Sequence, residues 1–176
     1  MSDKQLIERI ANGEAEAQLI FYKLHVDMLF VTANRILNNP QVAEDVVHDA
    51  ILKAFENIQN LKNPLAASGW VRTIARRMAI DQLKKELTFE TDEFRDDIQE
   101  AEVPEYTDID LSVIREAMEK LPAGYRAILN LHLLEDMSFD EIAKLLEIKS
   151  STVRSQFARG RIKLITLLNT YHVRQS

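Results

Sequence analysis

The C-terminal part of the chain contains basic residues in a pattern that suits contact with nucleic acid. After Glu147 the sequence has no acidic residue and six cations, Lys149, Arg154, Arg159, Arg161, Lys163 and Arg174. Apolar residues recur at helical intervals through the same stretch, at Val153, Phe157, Ile162, Leu164 and Ile165. The positions left on or near the outer side of this predicted helix include Arg154, Ser155, Arg159 and Lys163. Arginine can donate two hydrogen bonds to guanine, and other cations neutralise phosphates. Such a helix therefore suits the major groove of DNA.

The segment before this helix predicts a helix-turn-helix. Ser138 and Glu141 have the S-x-x-E spacing of a capping box, in which the two residues satisfy exposed backbone amides at a helix start. The predicted helix runs through Ala143, whose small side chain suits a close crossing. A polar turn over 147–150 follows, and the basic helix restarts near Ser151. Two helices joined by so short a turn are typical of a helix-turn-helix. A plain helical hairpin with a solvated basic face is the alternative that this pattern leaves open.

Two further helices and a loop carry polar side chains in the N-terminal half. Asn39 and Pro40 predict the start of a helix over 41–58, with Asn39 as its cap. The outer face of this helix is acidic, with Glu44, Asp45 and Asp49. The segment QNLKNPLAASG that follows is rich in Asn, Pro and Gly and predicts a loop. The next helix begins near Trp70 and has an apolar face and a basic face, the latter formed by Arg72, Arg76, Arg77, Lys84 and Lys85.

The net charge of −6 conceals three blocks of different charge. Residues 1–85 contain 11 Lys or Arg and 10 Asp or Glu, residues 86–110 contain 1 and 11, and residues 111–176 contain 10 and 7. The middle block has few aliphatic residues and the composition of a solvated, flexible linker. We therefore predict an all-α fold. It comprises two small helical domains, 1–85 and 111–176, joined by an acidic flexible linker, with the helix-turn-helix in the second domain.

Several classes of chemistry find no support in the sequence. There is no cysteine, which excludes disulfides, zinc knuckles and thiolate nucleophiles and agrees with a reducing cytoplasm. The four glycines are scattered, so no phosphate-binding loop is predicted, and the four histidines lack metal-ligand spacing. The N-terminus has no signal-peptide stretch, and no apolar run reaches membrane-spanning length. We expect a cytoplasmic protein that is not an enzyme, has no metal or cofactor and does not insert into a membrane.

The sequence resembles, in three stretches, the extracytoplasmic-function group of bacterial RNA polymerase sigma factors. Two stretches are similar to region two of that group: VAEDVVHDAILKAFENI (42–58) and GWVRTIARRMAIDQLKK (69–85), the latter with a W-x-x-x-I-A-R pattern. A third is similar to its region four: LPAGYRAILNLHLLEDMSFDEIAKLLEIKSSTVRSQFARGRIKLI (121–165). The resemblance implies a factor that binds core RNA polymerase and promoter DNA and directs promoter-specific transcription initiation. An inhibitory anti-sigma factor is a further partner that it allows.

The resemblance also assigns roles to individual residues. Those expected to dock on the clamp helices of the largest polymerase subunit are Glu44, Asp45, Val46, Asp49 and Phe55. The loop over 59–68 is expected to capture a base of the minus-ten element, and the basic helix after it to meet the DNA backbone; the residues are Asn60, Lys62, Asn63, Arg72, Arg76, Arg77, Lys84 and Lys85. Those expected at the minus-thirty-five element are Arg154, Ser155, Arg159 and Lys163. The sequence departs from common family patterns at Gln156 and Ala158, which leaves the promoter sequence open.

Other interpretations of the same features remain at this stage. The acids and cations are each also explained as solvated helix faces, and the loop asparagines as turn formers. The linker is either a mimic of RNA at the polymerase exit path or a solubilising spacer. A conventional transcription regulator would use the first domain for a ligand or partner and bind its operator without polymerase. A helical adaptor that binds neither polymerase nor DNA leaves the basic helices unexplained.

Overall fold

The computed structural model describes residues 1–85, 87 and 110–175, with the backbone alone for 172–175. Within these ranges the chain forms helices and short turns and contains no strand, which confirms the all-α fold. The chain divides into two compact units, Met1–Lys85 and Glu86–Ser176. The predicted acidic linker over 86–110 lies outside the described residues, apart from Leu87 and Asp110. None of the described helices is both long enough and apolar enough to cross a bilayer.

The first unit consists of four helices and two 3-10 turns. The helices are α1 (Asp3–Ala11), α2 (Ala15–Leu37), α3 (Pro40–Glu56) and α4 (Ala67–Lys84), and the turns are Ile58–Asn60 and Pro64–Ala66. The predicted cap of α3 is confirmed: Asn39 Oδ1 accepts a hydrogen bond from the Val42 amide at 3.4 Å, and Pro40 occupies the first turn. Because proline has no N–H to leave unsatisfied there, the two residues together fix where α3 begins.

Helix α2 is the central element of the first unit and packs against α1, α3 and α4. It is one continuous helix of 23 residues. The buried residues repeat at intervals of three or four and include Ala17, Phe21, His25, Leu29, Ala33 and Ile36. Leu19, Leu24 and Val31 are exposed instead. Helix α2 has apolar residues of its own on nearly all sides, so the periodicity of its sequence does not show which face is buried.

The described part of the second unit consists of α5 (Leu111–Glu119), α6 (Ala123–Leu133), α7 (Phe139–Leu146) and α8 (Ser150–Gln175). Helix α8 packs against the other three. Arg126 of α6 is buried, and its Nη1 donates to the carbonyl oxygens of Leu121 at 2.8 Å and Glu119 at 3.4 Å. Burial lowers the pKa of the Arg126 guanidinium. This side chain satisfies the carbonyl of Glu119, the last residue of α5, and that of Leu121 in the turn that follows.

The helix-turn-helix is formed by α7, a short turn and the first half of α8. Both hydrogen bonds of the predicted capping box between Ser138 and Glu141 are present. Helix α7 ends at Leu146. The next residue, Glu147, has left-handed backbone angles (φ 58°, ψ 38°), and the Ile148 amide donates back to the Ala143 carbonyl at 3.0 Å. This pattern is a Schellman motif. Helices α7 and α8 are in direct contact, and Val153 of α8 is fully buried.

Candidate nucleic-acid interface

The basic face of α8 is the first candidate surface. Arg154 and Lys163 are exposed, and Arg159 is half-buried. Arg161 is also exposed. It follows Arg154 by seven residues, which is about two helical turns, so the two side chains leave α8 in nearly the same direction. Arg161 is not among the residues that the sequence predicts to contact DNA. Its spacing of seven from Arg154 is the signal that marks it as part of this face.

Ser155 does not present its side chain as the sequence analysis expected. It is only 6% exposed, and its hydroxyl donates to the Thr152 carbonyl at 2.9 Å. A hydroxyl has one proton to donate, and Ser155 donates it to a backbone carbonyl of its own helix. The Ser155 side chain is therefore not free to contact DNA. Arg154 and Arg161 are exposed on one side of α8, and Lys163, nine residues after Arg154, is exposed on the opposite side.

The loop between α3 and α4 is the second candidate surface. Asn60, Lys62 and Asn63 are exposed, as expected. Asn63 caps the second 3-10 turn, because its Oδ1 accepts a hydrogen bond from the Leu65 amide at 3.1 Å. Leu65 itself is 79% exposed. An apolar side chain that stands out of a loop among polar ones is a feature that sequence reasoning missed, because leucine alone gives no signal of exposure.

The start of α4 is held against α2 by a buried histidine. His25 is 7% exposed, and its Nε2 lies 3.3 Å from the Ser68 hydroxyl oxygen. Its ring also packs on that of Phe21, with 4.2 Å between centroids. Burial lowers the pKa of His25, and smaller opposing effects come from the Leu24 backbone and from Asp3. The loop over 59–68 therefore ends at a fixed point on α2.

Helix α4 carries the predicted cations at different depths. Arg77 and Lys85 are exposed, whereas Arg72, Arg76 and Lys84 are half-buried. The Lys84 ammonium lies 3.5 Å from a carboxylate oxygen of Asp81. The Nε atoms of Arg72 and Arg76 are buried, so part of each guanidinium is covered by the protein. The charge on this helix therefore faces outward mainly at Arg77 and Lys85.

Helix α3 presents an acidic face. Glu44, Asp45 and Asp49 are exposed, and none of them forms an ion pair with a residue that the structure describes. The structure corrects the placement of Val46, which is 8% exposed and belongs to the core. Phe55 is half-buried and packs edge-on against Phe21, with 5.7 Å between ring centroids. The accessible part of the predicted docking face is therefore formed by the three acids.

Known families match both units of the structure. The family model for Sigma-70 region 2 matches residues 21–87, and that for Sigma-70, region 4 matches residues 111–164. The ECF RNA polymerase sigma factor SigW of Bacillus subtilis is 25% identical over 175 residues, covering 92% of this chain and 94% of that protein. The chain belongs to the extracytoplasmic-function (ECF) group of sigma factors. Its function is to bind core RNA polymerase and direct transcription initiation at promoters.

Other sigma factors have similar lengths and similar folds. The RNA polymerase sigma-H factor of Pseudomonas aeruginosa is 28% identical over 174 residues, covering 90% of each chain. Among solved structures, the sigma factor RpoE in complex with the anti-sigma factor NepR from Bartonella quintana has a TM-score of 0.52 and 22% identity. That match covers 84% of this chain and 94% of that one. The first unit of this sigma factor matches region 2, so the interpretation of that unit as a ligand domain of a conventional regulator is wrong.

Proposed function

We propose that this sigma factor divides its function among three surfaces: α3 binds core polymerase, the loop over 59–68 with α4 contacts the minus-ten element, and α8 reads the minus-thirty-five element. The observation that carries the proposal is the exposed face of Arg154 and Arg161 on the second helix of a helix-turn-helix. In that motif the second helix lies in the major groove, where arginine recognises guanine. The domain with α3 and α4 would act at the opened strand.

The acids of α3 support the polymerase-binding part of the proposal. Asp45 and Asp49 are one turn apart, so the two carboxylates lie on the same side of α3. Like charges at this spacing destabilise an isolated helix by about 0.2–0.5 kcal/mol. No cation of the described residues offsets them by an ion pair. A basic surface on the polymerase would remove this repulsion on binding and would favour one orientation of the complex.

The loop and α4 support contact with the opened promoter. Lys62, Arg77 and Lys85 are exposed cations, and the amides of Asn60 and Asn63 are exposed groups able to hydrogen-bond a base edge. Half-buried Arg72, Arg76 and Lys84 would add to the positive potential of the same helix. The His25–Ser68 contact fixes the end of the loop, so that a base bound there would meet a defined surface.

Three further points belong to the proposal. The chain would act as an accessory factor with no active site of its own, and nucleotide chemistry would remain with the polymerase. It would work in the cytoplasm, where the polymerase is found. The RpoE–NepR complex motivates an anti-sigma factor as an inhibitory partner of this chain as well.

The proposal is tested by transcription with purified core polymerase on genomic promoter fragments. The chain with core polymerase should start transcripts at discrete promoters, whereas the chain alone should bind DNA weakly. Asp45→Arg with Asp49→Arg should abolish association with core polymerase in a pull-down and leave helicity unchanged. The control is Glu8→Arg with Asp27→Arg, which makes the same change in net charge on exposed acids of α1 and α2. Equal loss in both variants, or none in the first, would show that α3 is not the docking helix.

A further inference from the structure

We propose that Phe139 is a positioning residue for Arg154: its ring holds the arginine side chain so that the N–H edge of the guanidinium is directed at one base pair of the upstream element. The inference rests on the proposed function of α8 and deepens it. Phe139 is the first residue of α7 and Arg154 lies in the second turn of α8, so the contact joins the two helices of the helix-turn-helix.

The contact between the two side chains is a cation–π pair. The Arg154 Cζ atom lies 5.3 Å from the centroid of the Phe139 ring, within the range of about 6 Å over which such pairs are attractive. Within the described part of the chain, the guanidinium of Arg154 forms no salt bridge or hydrogen bond. The aromatic ring is therefore what restrains this exposed side chain.

The ring of Phe139 is itself held from two sides. The ring of His132 stacks on it with 4.3 Å between centroids and an interplanar angle of 25°, and the ring of Phe157 lies 5.2 Å away. The Nδ1 atom of His132 is 2.8 Å from the Met137 carbonyl oxygen. A carbonyl oxygen only accepts hydrogen bonds, so Nδ1 carries the proton and fixes the orientation of the imidazole. The three rings form a platform of defined geometry.

A second contact fixes the same two helix ends. The Ser150 hydroxyl donates to the Asp140 carboxylate at 2.6 Å. Asp140 follows Phe139 directly, and Ser150 precedes Arg154 by four residues, so it lies on the same side of α8. The hydrogen bond and the cation–π pair therefore lie next to each other. The Ser150–Asp140 hydrogen bond and the Arg154–Phe139 contact together fix the distance between the Arg154 side chain and the first turn of α7.

Positioning matters because a free arginine side chain is flexible. Its rotamer freedom must be lost when the guanidinium forms a bidentate contact with a base, and any part lost beforehand strengthens binding. A guanidinium that packs on a ring uses its flat face, and its N–H groups remain available at the edge. The geometry of the platform thus restrains Arg154 without consuming the donors that recognise guanine.

The test compares promoter discrimination by the full chain bound to core polymerase. Phe139→Leu keeps an apolar side chain but removes the π-face, and it should lower discrimination at the base pair read by Arg154 by about 2- to 5-fold, the worth of an exposed cation–π pair. Phe139→Tyr should retain wild-type discrimination. In an Arg154→Ala background, Phe139→Leu should cause no further change. A purely structural role would instead weaken transcription from all promoters alike, in both backgrounds.

The outcomes separate this inference from the proposed function. If Arg154→Ala relaxes discrimination but Phe139→Leu does not, Phe139 does not position Arg154 and α8 remains the reader. If Arg154→Ala itself leaves sequence preference unchanged, the assignment of Arg154 fails and its positioning fails with it. Should Phe139→Leu unfold the second unit, Phe139→Met is compared with Phe139→Tyr in the same assay. Equal discrimination by the Met and Tyr variants would overturn the inference.

Discussion

Gly160 lies where α8 crosses α6. Substitution by alanine adds a methyl group there and tests how closely the two helices pack. A Cβ atom built on Gly160 lies 3.0 Å from Tyr125 Cβ and 3.3 Å from Leu129 Cδ1. Both distances are shorter than optimal carbon contacts of about 3.5–4.0 Å, so α6 or α8 must shift. Overpacking of this kind costs about 1–3 kcal/mol. Alanine in place of a helical glycine gains about 1 kcal/mol. We expect Gly160→Ala to destabilise the second unit by up to about 2 kcal/mol.

Gly69 in α4 provides the matched control. No atom lies within 4 Å of a Cβ built there, so Gly69→Ala should keep the propensity gain and stabilise the first unit by up to about 1 kcal/mol. Urea unfolding separates the two effects. The fluorescence of Trp70, the single tryptophan, reports on the first unit, and hydrogen exchange of amides in α6 and α8 reports on the second.

The sign of the change decides the outcome for Gly160. If Gly160→Ala stabilises the second unit as Gly69→Ala stabilises the first, there is space between α6 and α8 and the packing described above is wrong. Because Arg159 and Arg161 flank Gly160, a displaced α8 should also reduce transcription from promoters that depend on the upstream element. If Gly160→Ala lowers stability but leaves transcription from these promoters unchanged, the contact between α6 and α8 does not position the basic face.

Four further predictions concern individual residues. Burial lowers the pKa of His25 below its ordinary 6.5, so the unfolded chain takes up a proton more readily than the folded one. Stability of the first unit should be constant above about pH 6.5 and fall below it by up to about 1.4 kcal/mol per pH unit. In denaturant titrations His25→Gln should remove this slope, and stability that rises on acidification would contradict the effect. Glu147→Gly should raise stability by about 0.5–1 kcal/mol, because release of the left-handed strain, about 1–2 kcal/mol, exceeds the entropic cost of glycine; a lower melting temperature would refute it. Lys163→Ala should weaken binding of all upstream elements alike and lower the salt dependence by about one counterion. Arg154→Ala should cost about 1–3 kcal/mol on the preferred element and relax one base pair, and promoter libraries at two salt concentrations distinguish the two kinds of contact.

Features that depend on neighbours within four residues were predictable from the sequence. The Asn39–Pro40 helix start and the Ser138–Glu141 capping box are both present, because a cap is formed by a side chain and backbone amides of the same turn. On a longer scale, the change in composition at residue 86 predicts two domains, and the chain divides into compact units between Lys85 and Glu86. The exposed acids of α3 were also recognisable, since charged residues on an amphipathic helix avoid the core.

The backbone conformation of the turn between α7 and α8 was not predictable from the local sequence. The position of the turn was predicted, but the left-handed conformation of Glu147 was not, because glutamate has no preference for positive φ. The residue adopts it since continuing α7 would prevent α8 from packing on α6. The 3-10 turns around Asn60 and Leu65 were likewise predicted only as a loop.

Tertiary packing alone decided which side chains of a helix are accessible and which are paired with distant ones. The family resemblance placed Val46 at an interface, and helical periodicity placed Ser155 on an outer face, but both residues are buried. Gly160, one of four scattered glycines in the sequence, is the close contact with Tyr125. Phe139 and Arg154 are 15 residues apart and meet because the turn brings the ends of α7 and α8 together. A helix determines its own caps and faces from local sequence, but the neighbour that covers each face comes from elsewhere in the chain, and burial and pairing depend on that neighbour.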